Sequence, residues 1–141
     1  MNIDTYDLSK YDKYNKGYKY IFCAIDIFTR KVYCVPLKNK NNDSVISAFE
    51  NIIIITSLGA PTVIISDSDS TFLSKQFQQL LEQYDIIHNT VPVGDHNSLG
   101  VIDRFALTLK RILFKQREIS KSAYWVDSLD KIFIENRAQW T

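Results

Sequence analysis

The first third of the chain alternates polar punctuation with dense runs of β-branched and aromatic residues. Ile3 to Leu8 reads as a strand, ended by the polar stretch Ser9 to Tyr14. Asn15-Lys16-Gly17 supplies a turn. Lys19 to Phe28 (KYIFCAIDIF) and Lys31 to Leu37 (KVYCVPL) follow, with only Thr29-Arg30 between them. That spacing predicts two strands joined by a tight hairpin. The period then changes. Val45, Ile46, Phe49, Ile52 and Ile53 recur at helical spacing, with Asn42 and Asp43 as candidate N-caps and Gly59 just past the end. Pro61 opens Thr62 to Ser66 (TVIIS), a short apolar run of the kind that forms a buried parallel strand.

The second half continues the β-α alternation. Asp67 to Thr71 is a polar turn, and Ser74 caps a helix with Phe77, Leu80, Leu81 and Tyr84 on its inner face. Asp85 leads into a strand over Ile86 to Val91, followed by the polar loop Val93 to Ser98. A helix runs from about Leu99 towards Arg117, with Ile102, Phe105, Leu109, Ile112 and Leu113 on one face. A last helix spans Ala123 to Gln139. The order βββαβαβαα predicts an α/β fold: a mixed sheet with helices on both faces.

Composition narrows the class. The chain has 141 residues, of which 45% are apolar, and a net charge of +1. These values predict one globular domain over residues 1–141 and argue against disorder. The two cysteines, Cys23 and Cys34, fall in neighbouring predicted strands and read as small core residues. No Cys/His cluster suggests zinc, so an expected metal is oxygen-ligated. No apolar run, Ile52 to Ile55 included, approaches the roughly 20 residues a membrane span needs. No signal peptide is read, and the expected location is intracellular. The near-neutral charge argues against a strong autonomous nucleic-acid binder.

Three acids stand at informative places. Asp4 lies in the first strand. Asp67 closes TVIIS, at the carboxyl end where open α/β sheets place ligand sites. Asp103 lies in the first turns of the long helix. At about 100° per residue, Asp103 and Lys110 share one stripe away from the apolar face. Carboxylates in such a set suit two-metal phosphoryl transfer, in which paired cations activate the attacking oxygen and stabilise the leaving one. Taken alone, isolated aspartates at strand ends also serve as caps or solvated charges.

Four stretches carry a family likeness. Asn15 to Thr29 (NKGYKYIFCAIDIFT), Val35-Pro36-Leu37-Lys38, Ser66-Asp67 with Phe72, and Gly100 to Phe105 (GVIDRF) with Thr108-Leu109-Lys110 resemble motifs of the DDE integrase catalytic core. The likeness is to retroviral integrases and especially to Maverick/Polinton-type and related viral ones. Residues 68–102, 35 in all, separate Asp67 from Asp103, the spacing of the D,D-35-E signature. The resemblance implies a ribonuclease H-like fold with a five-stranded mixed sheet. It implies Asp4, Asp67 and Asp103 as the metal carboxylates, with Mg²⁺ or Mn²⁺ as cofactor. It also implies 3′-end processing and DNA strand transfer for a virus or mobile element, in a host nucleus or viral replication compartment. Lys110 falls where a helix lysine contacts DNA, and Arg104, Arg111, His96 and Asn97 are further candidate contacts. A homodimer is expected, and the family's flanking zinc-binding and C-terminal domains are not read in this chain.

The departures have physical consequences. Position 103 is Asp where the family has Glu, which shortens the side chain by one C–C bond, about 1.5 Å. Ser68-Asp69 replaces the usual Asn-Gly. Asp69 then either solvates the turn or supplies a compensating carboxylate. Two alternatives stay open: a catalytically lapsed DNA- or protein-binding module, and a ribonuclease H-type nuclease using Glu50 in the helix after the third strand.

Overall fold

The computed structural model describes residues 1–9, 17–27, 31–55, 59–91, 100, 102–104, 107–109 and 111. The elements are β1 (Asn2–Asp7), β2 (Tyr20–Ile25), β3 (Val32–Leu37), α1 (Asn42–Ile55), β4 (Val63–Ser66), α2 (Lys75–Gln83) and β5 (Ile87–Thr90). The strands form a five-stranded sheet in the order β3-β2-β1-β4-β5. β1, β2 and β3 are antiparallel neighbours, whereas β4 pairs in parallel with both β1 and β5. This is the mixed sheet that the sequence pattern predicts. Helical backbone recurs at Gly100, Ile102 to Arg104, Leu107 to Leu109 and Arg111, inside the stretch expected to be helical. The expected hairpin turn at Thr29-Arg30, the loop Val93 to Ser98 and the last helix lie outside the described residues.

Alternation along the strands sorts side chains between two layers. One face of the sheet carries Ile3, Phe22, Ala24 and Leu37, packed against Val45, Ala48, Phe49, Ile52 and Ile53 of α1 and Phe77, Leu80 and Leu81 of α2. Phe22, Phe49, Phe72 and Phe77 meet ring to ring, with centroids 5.4 to 6.4 Å apart. All four are almost fully buried, and each such ring contributes about 1.5–3 kcal/mol of hydrophobic free energy.

The opposite face carries Asp4 and Tyr6 of β1, and Ile21, Cys23 and Ile25 of β2. These last three are fully buried. On this side the Tyr6 hydroxyl donates to the backbone carbonyl of Ile102 at 2.9 Å. Tyr6 thereby ties β1 to the helical stretch that carries Asp103.

Local signals account for the element ends. The Ser74 hydroxyl accepts from the Phe77 N–H at 3.2 Å, the N-cap expected from the sequence. α1 begins one residue earlier than its expected caps: the first helical bond runs from Val45 N–H to the carbonyl of Asn41. The Asn39 side chain accepts from both Asn41 N–H and Ser44 Oγ, which organises that start. Gly59, with φ +79°, adopts the left-handed conformation expected after a helix end.

Candidate active site

Asp4 lies in β1, and Asp67 directly follows β4, the adjacent parallel strand. The register Asn2↔Ile65 brings Asp4 level with Asp67, at the carboxyl end of β4. Asp4 is partly buried, and one carboxylate oxygen (Oδ1) accepts from the Thr5 N–H at 2.8 Å. Burial raises its pKa to about 6. The Thr5 hydrogen bond opposes that rise, Asp67 and Asp103 add to it, and Lys40 lowers it. Asp67 and Asp103 therefore both act electrostatically on Asp4, although Asp103 is exposed. Among the described residues, no group of three or more His, Cys, Asp or Glu side chains is gathered tightly enough to hold a metal ion. The donor chemistry nonetheless suits a hard cation. It is all oxygen, and the electrostatic cost at Asp4 is of the kind that a divalent ion removes.

The loop after β4 is held by its own acids. Asp67 Oδ1 accepts from Asp69 N–H at 3.1 Å, and Asp69 Oδ1 accepts from Thr71 N–H at 2.9 Å. These two successive Asx turns fix the backbone that leads into α2. Asp69 has a second role as well. Its Oδ2 takes a 2.8 Å hydrogen bond from Lys40 Nζ, on the loop between β3 and α1. Burial alone would raise the Asp69 pKa, but the bonds from Lys40 and Thr71 hold it below the ordinary value. Asp69 raises the Lys40 pKa in turn, with further contributions from Asp4 and Asp67.

Behind Asp67 runs a polar chain of fixed direction. The Gln78 amide donates to the Phe72 carbonyl at 2.8 Å and meets His88 Nδ1 at 3.0 Å. Because Nε2 of Gln78 is a donor, His88 Nδ1 is the acceptor and the ring proton sits on Nε2. Nε2 lies 2.7 Å from the Ser66 hydroxyl, which donates onward to the backbone carbonyl of Asp67 at 2.8 Å. The His88 ring also packs edge-on against Phe77. Burial lowers the His88 pKa, consistent with a neutral ring that bridges donor and acceptor. His88 is thus structural, as its place in a predicted strand suggests.

A row of small side chains underlies Asp4. Asp4 faces Cys23 across β1 and β2, and Cys23 faces Cys34 across β2 and β3. Both thiols are free. Burial, followed by a hydrogen bond with Cys34, pushes the Cys23 thiol pKa well up, so it packs as a neutral group.

Of the other candidates, Arg104 and Arg111 are exposed on the helical stretch. His96, Asn97 and Lys110 lie outside the described residues. Glu50 belongs to α1, which packs on the sheet face opposite Asp4. Sequence reasoning missed Tyr6 and Lys40. Tyr6 looked like an ordinary strand aromatic. Lys40 gave no local signal, because its partner is 29 positions away.

Comparison with known proteins agrees with the fold. Residues 2–96 match the family model described as "Integrase core domain". A Gag-Pol polyprotein of avian reticuloendotheliosis virus is 31% identical over 121 residues, covering 86% of this chain and 10% of the polyprotein. A transposon-derived protein of Caenorhabditis elegans is 25% identical over 126 residues, covering 89% of this chain and 43% of that protein. This chain therefore spans less than half of each of these relatives. Among solved structures, the HTLV-2 integrase catalytic core domain in complex with magnesium, in its dimeric form, superposes with a TM-score of 0.69 at 24% identity. That match covers 94% of this chain and 80% of the HTLV-2 chain. A chain of the simian T-cell lymphotropic virus intasome, in complex with PP2A regulatory subunit B56 gamma, gives a TM-score of 0.79 at 21% identity. It covers 94% of this chain and 45% of its own.

Proposed function

The chain belongs to the integrase core domain family, and from that premise we propose that it is a divalent-metal-dependent DNA polynucleotidyl transferase with Asp4, Asp67 and Asp103 as its metal-binding carboxylates. The supporting observation is the place of Asp4 in β1, beside the carboxyl end of β4, where Asp67 and Asp103 both act on its charge. When bound, Mg²⁺ or Mn²⁺ supplies charge neutralisation at the attacking and leaving oxygens.

The residues of the chain set the geometry of an in-line displacement. Water attacks a phosphodiester near a 3′ end of element DNA; a new P–O bond forms and the bond to the 3′ oxygen breaks. The freed 3′-hydroxyl attacks a target phosphodiester in the same way, losing its proton to solvent and displacing a target 3′-hydroxyl. No covalent enzyme intermediate is needed. The Asx turns at Asp67 and Asp69 and the Ser66–His88 chain hold Asp67 in place. Tyr6 ties the helical stretch that carries Asp103 to β1. Arg104, Arg111, Lys110, His96 and Asn97 are assigned to DNA contact. A homodimer is the proposed assembly, with the exposed Leu107 as a candidate apolar contact.

The lapsed-module reading rests on one specific observation: the exposed position of Asp103, outside any tight ligand cluster among the described residues. A Mn²⁺/Mg²⁺-dependent disintegration assay on branched DNA separates the two readings. Loss of activity in Asp67→Asn supports the enzyme with Asp103 tolerated. Recovery only in Asp103→Glu identifies a lapsed enzyme. Absence of activity in all three proteins favours the binding module.

A further inference from the structure

Lys40 is a basic side chain set among acids. It bonds Asp69 directly, and Asp69, Asp4 and Asp67 all act on its charge. It comes from the loop between β3 and α1, whereas Asp69 comes from the loop after β4. The pair therefore links two loops at the same end of the sheet as Asp67. Exposed ion pairs add little to stability, so stability alone does not account for pinning a long, mobile side chain against a group of carboxylates. The Lys40 side chain is 38% exposed and that of Asp69 is 23% exposed, so the pair is not sealed from water. Asp69 uses one of its three N–H donors.

A carboxylate site that accepts a polyanion faces a charge problem at its rim. Asp69 adds a negative charge where a phosphate must approach, and Lys40 cancels it while retaining donors for the phosphate. Resting on the function proposed above, we propose that Lys40, oriented by Asp69, is a DNA-binding residue that contacts a non-bridging phosphate oxygen of the strand lying across Asp4 and Asp67.

The test is fluorescence anisotropy of the full chain with branched DNA in Ca²⁺, between 50 and 200 mM KCl. Each neutralised phosphate contributes about 0.9 to the slope of log affinity against log salt. Over that fourfold range the unsubstituted chain should therefore lose about 3-fold more affinity than Lys40→Met. Lys40→Arg should restore the slope, and Lys75→Met, at the exposed start of α2, should leave it unchanged. Thermal melting checks that each variant is folded, and Lys40→Gln replaces Lys40→Met if the latter is not. An unchanged slope in Lys40→Met overturns the inference, as does an equal change in Lys75→Met, which would mean diffuse attraction. A chain that binds DNA but processes none removes the catalytic reading while leaving the slope comparison decisive for Lys40. A chain that binds no DNA overturns both.

Discussion

Asp4→Asn should make the metal-free protein more stable, and only at neutral and alkaline pH. In the folded chain, burial raises the Asp4 pKa from 3.8 to about 6, and Asp67 and Asp103 contribute to the rise. The folded state therefore binds a proton more tightly than the unfolded state. Stability from this group is fully present below pH 3.8 and is lost as pH rises through about 6. At about 1.36 kcal/mol per pH unit, the charged carboxylate costs roughly 3 kcal/mol above that window. Asn keeps the acceptor for the Thr5 N–H and carries no charge at any pH. Urea denaturation in EDTA should thus show the variant more stable than the parent by up to about 3 kcal/mol at pH 8, with the gap closing near pH 4. Other titrating groups are common to both proteins and cancel in the difference. Adding Mg²⁺ at pH 8 should narrow the gap by stabilising only the parent, since a ligand bound to the folded state alone shifts stability by mass action. A stability difference that is the same at both pH values would refute the argument. It would mean that Asp4 is solvated as an ordinary carboxylate and stores no electrostatic cost for a cation to relieve.

Four further outcomes follow from the packing. Tyr6→Phe removes the bond to the Ile102 carbonyl and should cost about 1–2 kcal/mol in urea titrations; calorimetric Mg²⁺ titration should show weaker binding, because the Asp103 helix loses its tie to β1. Ser66→Ala breaks the chain between His88 and the Asp67 carbonyl and should cost about 1–3 kcal/mol, with proton NMR showing an altered His88 titration. In the parent, His88 should titrate below 6.5, since burial lowers its pKa; its contribution to stability is present above 6.5 and lost as pH falls towards the folded value. Phe77→Ala opens a cavity among four packed rings and should cost about 3–5 kcal/mol, read from the shift in denaturation midpoint.

Much of the fold was legible because its signals are local. Residue alternation marked the strands, helical spacing marked α1 and α2, and Ser74 marked a cap whose hydroxyl is three residues from the N–H it accepts. TVIIS read as a parallel strand because a strand covered on both faces has no polar side to show. Asp4 was visible as an acid within a strand, and Asp67 as one at the carboxyl end of a buried strand, where open α/β sheets place ligand sites. Their pattern and the 35-residue spacing to Asp103 are written in one dimension. The start of α1 was misplaced by one residue because Asn41, Asn42 and Asp43 are similar caps, and the choice fell to the Asn39 side chain.

Tertiary structure decided the relations between distant residues. The sequence could place Asp69 in a turn, but the 2.8 Å bond to Lys40 exists only because two loops converge at one end of the sheet. Tyr6 became a tie to the Asp103 helix through a carbonyl 96 positions away. His88 gained a defined tautomer from Gln78 and Ser66, which come from α2 and β4. The pKa of Asp4 likewise depends first on burial, which no local pattern states. Periodicity records which side of an element faces inward. It does not record which groups meet there, because that depends on the order of the strands and the register between them.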